Sequence, residues 1–233
     1  QSLDVPMPLG GTSNHFKLDK LKELGGWDPF NVTEDADLGV RVFEKRYKVG
    51  VVNSTTLEEA NNEPFNWIRQ RSRWIKGYMQ TLLVHMRNPV RLVNKIGWRG
   101  FFGFNFFVGF TPITFLLYPV LLGFYIIYIV FDLQTVRVLF PDWVLYISIF
   151  NFVAGNTLMI YVNMLAVFKR RFYELILFAL VNPFYWLMHS IAAYKGLWQL
   201  IYKPFYWEKT NHGLTKMSHS SSAAAAANAN EVK

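Results

Sequence analysis

Three long apolar stretches fill most of the second half of the chain and most constrain its fold. They cover residues 101–131, 143–168 and 172–202 and contain few charged side chains. Each is longer than the roughly 20 residues that a helix needs to cross a ~30 Å hydrocarbon core. The chain is also 52% hydrophobic and 18% aromatic, more than a soluble domain normally carries. The sequence therefore predicts a membrane protein with a polar N-terminal portion.

Positive charge is concentrated beside these stretches and predicts their orientation. The net charge is +8, and basic residues are rare between the first two stretches. By the positive-inside rule, residues 1–100 and the loop at 169–171 are cytoplasmic, which predicts a multi-pass protein of the plasma (inner) membrane. The orientation of the membrane segments thus explains the excess of basic over acidic residues, and no nucleic-acid partner is expected. The basic residues that flank the stretches are Arg87, Arg91, Lys95, Arg99, Lys169, Arg170 and Arg171.

The third stretch leaves the number of crossings open. Asn182-Pro183 interrupts it, because proline disrupts the helical hydrogen-bond ladder, and His189 and Lys195 make its second half less suited to lipid. It either crosses once, which puts the following residues outside, or it dips in and returns as a broken hairpin. The chain has no cysteine, so disulfides and thiolate metal sites are excluded.

The polar portion contains a helix that begins with carboxylates. "PLGGTSNHF" predicts a glycine-rich loop and "LDKLKELGGWD" a short helix closed by Gly25-Gly26. Thr33 is a good N-cap for a second helix that runs to about Tyr47, with Val40 and Phe43 on its buried face. Acidic side chains at a helix start are favoured electrostatically, so "TEDAD" could be no more than a helix cap.

The two aspartates of this helix could be mistaken for a metal-binding D-x-D. Positions i and i+2 of a helix do not face each other, so Asp35 and Asp37 cannot easily share one cation. The sequence therefore does not favour a metal site here.

A second helix is predicted for "PFNWIRQRSRWIKGYMQTLLVHM". At about 100° per residue, one face is an apolar stripe and the other is polar, with Trp74 beside it. Such a helix could lie on the membrane surface. In the alternative, it is an ordinary interfacial helix whose Arg69 and Lys76 reach toward water. The stripe contains Ile68, Ile75, Met79, Leu82 and Met86, and the polar face contains Gln70, Arg73, Gly77 and Thr81.

Two motifs in this order resemble those of the membrane-embedded family 2 glycosyltransferases, which include the synthases of cellulose, hyaluronan, chitin and poly-N-acetylglucosamine. They are "TED" at 33–35 and Q-x-x-R-W at 70–74, followed by membrane helices, and the resemblance runs from about residue 10 to 213. It implies an α/β fold plus membrane α-helices. Residues 1–63 would be the C-terminal part of a GT-A-type domain, 64–100 amphipathic interface helices, 101–202 the transmembrane region, and 203–233 a cytoplasmic gating-like segment and disordered tail.

The resemblance also implies roles for individual residues. Asp35 would be the general base of an inverting sugar transfer, and Thr33 and Glu34 would position it. Arg73 would meet the donor diphosphate, Gln70 would hold nearby polar groups, and Trp74 would stack on the acceptor sugar. "WEKT" is similar to a gating loop that closes over the nucleotide, which would involve Trp207 and Thr210; the alternative is a solvated basic tail.

One departure from the family pattern limits these expectations. The family's nucleotide-binding half, with the D-x-D motif that holds a divalent metal, is expected to be absent from this chain. The ligands for Mg²⁺ or Mn²⁺ would then lie elsewhere, in a missing N-terminal half or another synthase subunit. Two hypotheses follow. In the first, the chain is part of an enzyme that moves a sugar from a nucleotide donor, such as a UDP-sugar, to a glycan or lipid acceptor, with or without polymer translocation. In the second, it is a non-catalytic subunit or remnant that serves as a scaffold or channel.

Overall fold

The fold consists of helices in the part of the chain that the structure, a computed structural model, describes: residues 4–52, 54, 56, 58–131 and 141–210. The helices are α1 Leu18–Glu23, α2 Glu34–Glu44, α3 Pro64–His85, α4 Pro89–Phe104, α5 Phe110–Phe131, α6 Asp142–Lys169 and α7 Asn182–Tyr202. A π-helical segment, Asn105–Gly109, joins α4 to α5, and two 3-10 turns, Tyr173–Leu175 and Leu177–Val181, precede α7. These described residues contain no strand, so the α/β part of the expected fold stays a prediction.

The short first helix is confirmed, and the second ends earlier than expected. Gly25 and Gly26 follow α1 with φ of 82° and 70°, backbone angles that glycine adopts at little cost. The prediction that α2 reaches about Tyr47 was wrong by three residues. Arg46 has a φ of 60°, and this left-handed residue turns the chain so that Tyr47 N donates to Val42 O, a typical helix C-terminal arrangement.

The largest core joins α2 to α4 and the π-helical segment. Val40 and Phe104 are fully buried there, together with Leu92, Ile96 and Val108. Helix α4 bends at Gly97, which has a φ of 71°. The α2 helix, whose first turn carries Asp35, is therefore fixed against the segment that leads into the membrane-type helices.

The apolar stripe of α3 is present as predicted, but protein covers it. Ile75 and Met79 are 5% and 6% exposed, and they pack on Ala192 and Ala193 of α7. The expectation that this stripe faces the headgroup boundary is therefore corrected: α7 occupies that position. The location of α3 at a membrane surface stays a prediction.

Helix α7 runs alongside α3 in the same direction. Trp67 meets His189 near the start of both helices, with ring centroids 4.8 Å apart. Further along, Gly196 lies so close to α3 that a Cβ there would be 2.8 Å from Ser72 O. Pro183 stands in the first turn of α7, where its missing N–H costs nothing. Asn182-Pro183 therefore divides the third apolar stretch, as predicted: 3-10 turns lie before this pair and a regular α-helix begins with it.

Three segments of the described chain are long and apolar enough to cross a membrane. They are Pro89–Tyr128, Asp142–Lys169 and Tyr173–Tyr202, and they correspond to the three apolar stretches. A cavity of about 420 Å³ lies between α5 and α6. Its lining includes Tyr118, Tyr125, Phe152 and Trp186. These aromatic walls suit an acyl chain or another helix better than a charged nucleotide, so the cavity does not locate the candidate chemistry.

Candidate functional site

Helix α3 holds the loop that leads into α2. Asn31 Nδ2 donates to Thr81 Oγ1 at 2.8 Å, and the backbone N–H of Val32 donates to Gln80 Oε1 at 3.1 Å. The N–H of Thr33 donates back to Asn31 Oδ1 at 3.0 Å. All five residues are buried. Because buried polar groups that lose their partners are costly, this network fixes the loop just before the carboxylates of α2.

A glycine of α3 allows the loop to approach. A Cβ at Gly77 would lie 2.1 Å from Thr33 Oγ1, far inside van der Waals contact, so a larger residue would push the loop away. Thr33 is the N-cap residue of α2, as predicted, but its side chain makes no capping hydrogen bond. Its side chain instead packs against α3, which explains Gly77 on the polar face of that helix.

The Asp35 carboxylate lies half-buried in the first turn of α2. Its Oδ1 accepts from the backbone N–H of Ala36 at 2.8 Å. A Cβ at Gly11 would lie 3.4 Å from its Oδ2, so the glycine-rich loop passes beside it. Burial raises the pKa of Asp35, the negative charge of Glu34 adds to this, and the Ala36 hydrogen bond opposes it. Asp35 is therefore a stronger base than a solvated aspartate.

Asp37 points into a different environment, which we call the charge cluster: Asp37, Arg41, Glu44, His85 and Lys95. Asp37 is 4% exposed; it bonds Arg41 Nε at 2.7 Å and His85 Nε2 at 2.9 Å. His85 Nδ1 is 3.4 Å from Glu44 Oε1, and Lys95 Nζ is 2.6 Å from Glu44 Oε2. Burial pushes the pKa of Asp37 upward, but His85 and Arg41 outweigh it and the pKa is lowered.

This arrangement corrects one expectation about the acidic motif. The helix geometry correctly predicted that Asp37 does not face Asp35. However, Asp37 is more than a helix-end charge that can be lost at small cost in stability. It is one half of a buried ion pair between α2 and α3.

A metal ion does not fit the residues described here. No group of three or more His, Asp or Glu side chains converges on a point where an ion could sit in the described part of the chain. The Asp37 carboxylate is already engaged by Arg41 and His85. No chemical step is therefore assigned to a metal held by these residues.

Three of the predicted site residues come together at α3. The Arg73 guanidinium lies 4.6 Å over the Trp207 ring, and its Nη1 donates to Glu208 O at 3.3 Å. Burial lowers the pKa of Arg73, and the negative charges of Glu34 and Glu208 oppose this. Arg73 therefore contacts Trp207 directly and is also affected by the charge of Glu34, although the three residues are distant in sequence. A guanidinium fork that stacks on an aromatic ring is suited to a carboxylate or phosphate group.

The other predicted residues of α3 stand slightly apart. Trp74 is 40% exposed, and the Arg71 guanidinium lies 4.2 Å over its ring. Gln70 is half-buried one turn earlier on the same helix. Since Arg71 covers one face of the indole, a ligand would have to stack on the opposite face.

The segment after α7 lies on α3, and sequence reasoning missed the residues that hold it. Lys76 is completely buried; its Nζ donates to Tyr206 O at 2.6 Å and to Lys203 O at 3.4 Å. The alternative in which Lys76 reaches toward water is therefore wrong. Gln80 Nε2 donates to Pro204 O at 3.0 Å. The local sequence carried no signal for these contacts, because the acceptors are backbone carbonyls far along the chain.

Glu208 anchors the far end of this segment. Its carboxylate bonds Lys195 Nζ at 2.8 Å and Gln199 Nε2 at 2.9 Å, and Arg69 Nε is 4.0 Å away. Burial pushes the pKa of Glu208 upward, but the Lys195 and Gln199 hydrogen bonds outweigh it and the pKa is lowered. Thr210 is 8% exposed. Residues 203–210 are thus held at several points instead of forming a solvated tail.

Comparison with known proteins gives a consistent result. A family model described as "Glycosyl transferase family group 2" matches residues 2–207. The chain is 28% identical over 88 residues to "Probable glycosyltransferase YdaM" of Bacillus subtilis (strain 168), which covers 37% of this chain and 21% of that protein. It is 32% identical over 80 residues to "Beta-monoglucosyldiacylglycerol synthase" of Synechocystis sp. (strain ATCC 27184 / PCC 6803 / Kazusa), or 34% of this chain and 17% of that protein. The matches thus span about a fifth of each relative's length. No solved structure matches significantly.

Proposed function

The chain belongs to glycosyl transferase family group 2, and on this basis we propose that it moves a sugar from a nucleotide-sugar donor, such as a UDP-sugar, to a glycan or lipid acceptor. The subtype proposed is that of the cellulose, hyaluronan, chitin and poly-N-acetylglucosamine synthases, with a GT-A-type α/β domain completed outside the described residues. A divalent cation, Mg²⁺ or Mn²⁺, would be held by ligands outside this chain. The name of the Synechocystis relative, a synthase of a glucosylated diacylglycerol, supports keeping a lipid among the acceptors.

The proposed reaction is a single inverting displacement. The acceptor hydroxyl oxygen attacks the anomeric carbon of the donor sugar while Asp35 takes its proton. The new oxygen–carbon bond forms as the bond to the nucleoside diphosphate breaks, and the diphosphate leaves with its electron pair. Arg73 faces the developing charge on the leaving group, and the face of Trp74 opposite Arg71 stacks on the acceptor sugar.

The position of Asp35 is the observation that carries the proposal. It is a half-buried carboxylate with a raised pKa, as a general base requires, and the glycine-rich loop passes close to its Oδ2. Thr33 and Glu34 position it through the α3 contacts described above. A helix cap alone would not require Gly77 to admit Thr33 so closely.

The proposed topology places this site on the cytoplasmic side of the plasma membrane. Residues 203–210 contact α3 through Lys76 and Gln80, which supports their lying on the same side as α3. Helix α7 would then lie beside α3 at the membrane surface instead of crossing. An introduced Lys209→Cys should not react with an impermeant maleimide added outside intact cells, whereas Asp142→Cys, at the start of α6, should. Labelling of Lys209→Cys from outside would refute this topology.

The function is tested with membranes that contain the full-length protein and a panel of radiolabelled nucleotide sugars. One donor should label a lipid-extractable or polymeric product, and Asp35→Asn should lower the rate by about 10²- to 10⁴-fold, the usual loss when a general base is removed. Asp19→Asn makes the same change at an exposed carboxylate of α1 and should have no effect. Near-normal transfer by Asp35→Asn would refute its role as base. If no donor is used, the alternative of a non-catalytic scaffold or channel replaces the proposal.

A further inference from the structure

Lys76 is a buried lysine whose described hydrogen-bond acceptors are backbone carbonyls. Its exposed fraction is 0%, and its Nζ donates to the carbonyls of Tyr206 and Lys203. Burying an ammonium group is expensive unless it is hydrogen-bonded. Burial does lower the pKa of Lys76, and the charge of Glu208 opposes this. A movement of residues 203–206 away from α3 would remove both acceptors at once.

Gln80 connects the same segment to the loop that precedes Asp35. Its Nε2 donates to Pro204 O at 3.0 Å, while its Oε1 accepts from the N–H of Val32 at 3.1 Å. The two bonds use opposite ends of one amide, so its orientation is fixed by its partners. If Pro204 moves away, the Gln80 amide loses one of the two hydrogen bonds that fix its orientation. Its hydrogen bond to the Val32 N–H is then held less firmly.

A ring contact joins the two segments directly. Phe30 and Phe205 pack edge to face, with ring centroids 5.7 Å apart. The loop before Asp35 and the segment after α7 therefore touch each other and also share a side chain of α3.

We propose that Lys76 and Gln80 form a clasp that holds residues 203–206 on α3 and couples the position of this segment to that of the Asn31–Thr33 loop. Opening of the segment then loosens the loop that carries the α2 carboxylates. The clasp exists independently of any reaction. Its effect on sugar transfer rests on the proposed function, in which a closed segment and a fixed loop are needed together.

The test uses cysteine reactivity, because the chain has no cysteine of its own. Single cysteines replace Thr210, four residues after the segment, Val32 in the loop or Ser190 in α7; their exposed fractions are 8%, 7% and 3%. The rate of maleimide alkylation of a buried cysteine follows the population in which it is open. Ser190→Cys reports on α7 itself and therefore detects general unfolding.

Each cysteine is combined with Lys76→Met, which keeps most of the length of the side chain and removes its donors. Loss of hydrogen bonds to a charged group should raise the alkylation rate at position 210 by about 10- to 100-fold. The rate at position 32 should also rise, and the rate at position 190 should not change. Lys48→Met makes the same substitution at an exposed site and should leave all three rates unaltered.

Gln80→Glu tests the coupling separately. It keeps an acceptor for the Val32 N–H but replaces the donor to Pro204 O with a carboxylate. The alkylation rate at position 210 should therefore rise. The alkylation rate at position 32 should rise less than it does in Gln80→Leu, which has neither donor nor acceptor.

Three results would overturn the proposal. If Lys76→Met leaves position 210 unreactive, there is no clasp. If Lys76→Met exposes position 210 without position 32, there is no coupling. If it raises the rate at position 190 equally, Lys76 only supports the packing of α7. None of these rates requires turnover, so they distinguish a failure of the clasp from a failure of the proposed function.

Discussion

The charge cluster should make the stability of the α2–α3–α4 unit depend on pH through His85. Burial lowers the pKa of His85, but the hydrogen bonds and charges of Asp37 and Glu44 outweigh it and raise the pKa from 6.5 to about 9. Because the folded pKa lies above the unfolded one, this stabilisation is fully present below pH 6.5. It is lost as the pH rises through about 9.

The size of the effect follows from the two pKa values. A difference between about 9 and 6.5 corresponds to about 3 kcal/mol of unfolding free energy. The imidazole is 8% exposed, so solvent screening reduces this little. Arg41 and Lys95 complete the cluster around the two carboxylates. The pH dependence has the opposite sign for Glu44, whose pKa is lowered from 4.5 to about 2. The stabilisation from Glu44 is present above pH 4.5 and is lost as the pH falls toward 2.

The measurement is a urea titration in mild detergent, followed by tryptophan fluorescence, at pH 6.5 and pH 9.5. His85→Gln keeps a donor for Asp37 but cannot titrate, so the comparison removes contributions from other groups. The wild-type protein should lose about 3 kcal/mol more than His85→Gln between the two pH values. Equal losses in the two proteins, or no loss in either, would show that His85 is not the charged centre of this cluster.

Three further predictions concern single positions. Asp37→Asn should cost about 3 kcal/mol of unfolding free energy, since it breaks a buried ion pair whose Arg41 end keeps some solvent. Asp35→Asn should cost none, because the raised pKa of Asp35 shows that the fold disfavours its charge. Equal destabilisation by the two substitutions in the same urea titration would contradict this. Gly77→Ala should strongly lower sugar transfer by the full-length enzyme and should cost about 1–3 kcal/mol of unfolding free energy, as overpacking does. Wild-type activity of this variant would refute the close contact with Thr33. Ile75→Glu should reduce the amount of folded protein in membranes, because it places an unpaired charge against α7; normal levels and activity would refute that packing.

Periodic features of the structure could be predicted from the sequence, whereas contacts between distant residues could not. The limits of α3 and its two faces followed from apolar spacing, and Gly77 and Thr81 do lie on the face that meets the α2 loop. Nothing in the local pattern showed that Lys76 is buried, because its partners are backbone carbonyls more than 120 residues later in the chain. The sequence predicted the interruption at Pro183 but not its form, because proline is compatible with both the first turn of a helix and a break within one; here an α-helix begins at Asn182.

The burial of Asp37 was missed for a similar reason. A carboxylate in the first turn of a helix is explained well enough by the helix dipole, so the pattern gave no reason to look for His85 at the far end of α3.

The parallel packing of α3 and α7 also sets an order of events during biosynthesis. The translocon meets the third apolar segment after α3 has left the ribosome, so under the proposed topology α3 is already at the membrane surface to receive it. Lys195 lies well inside α7, and a lysine at the centre of an inserted helix costs roughly 2.5–3.5 kcal/mol on insertion scales. The apolar stripe of α3 offers the nascent α7 a protein surface instead of lipid. Under the proposed topology, the side of the membrane on which residues 203–210 lie is thus decided by a helix that is synthesised long before the segment it receives.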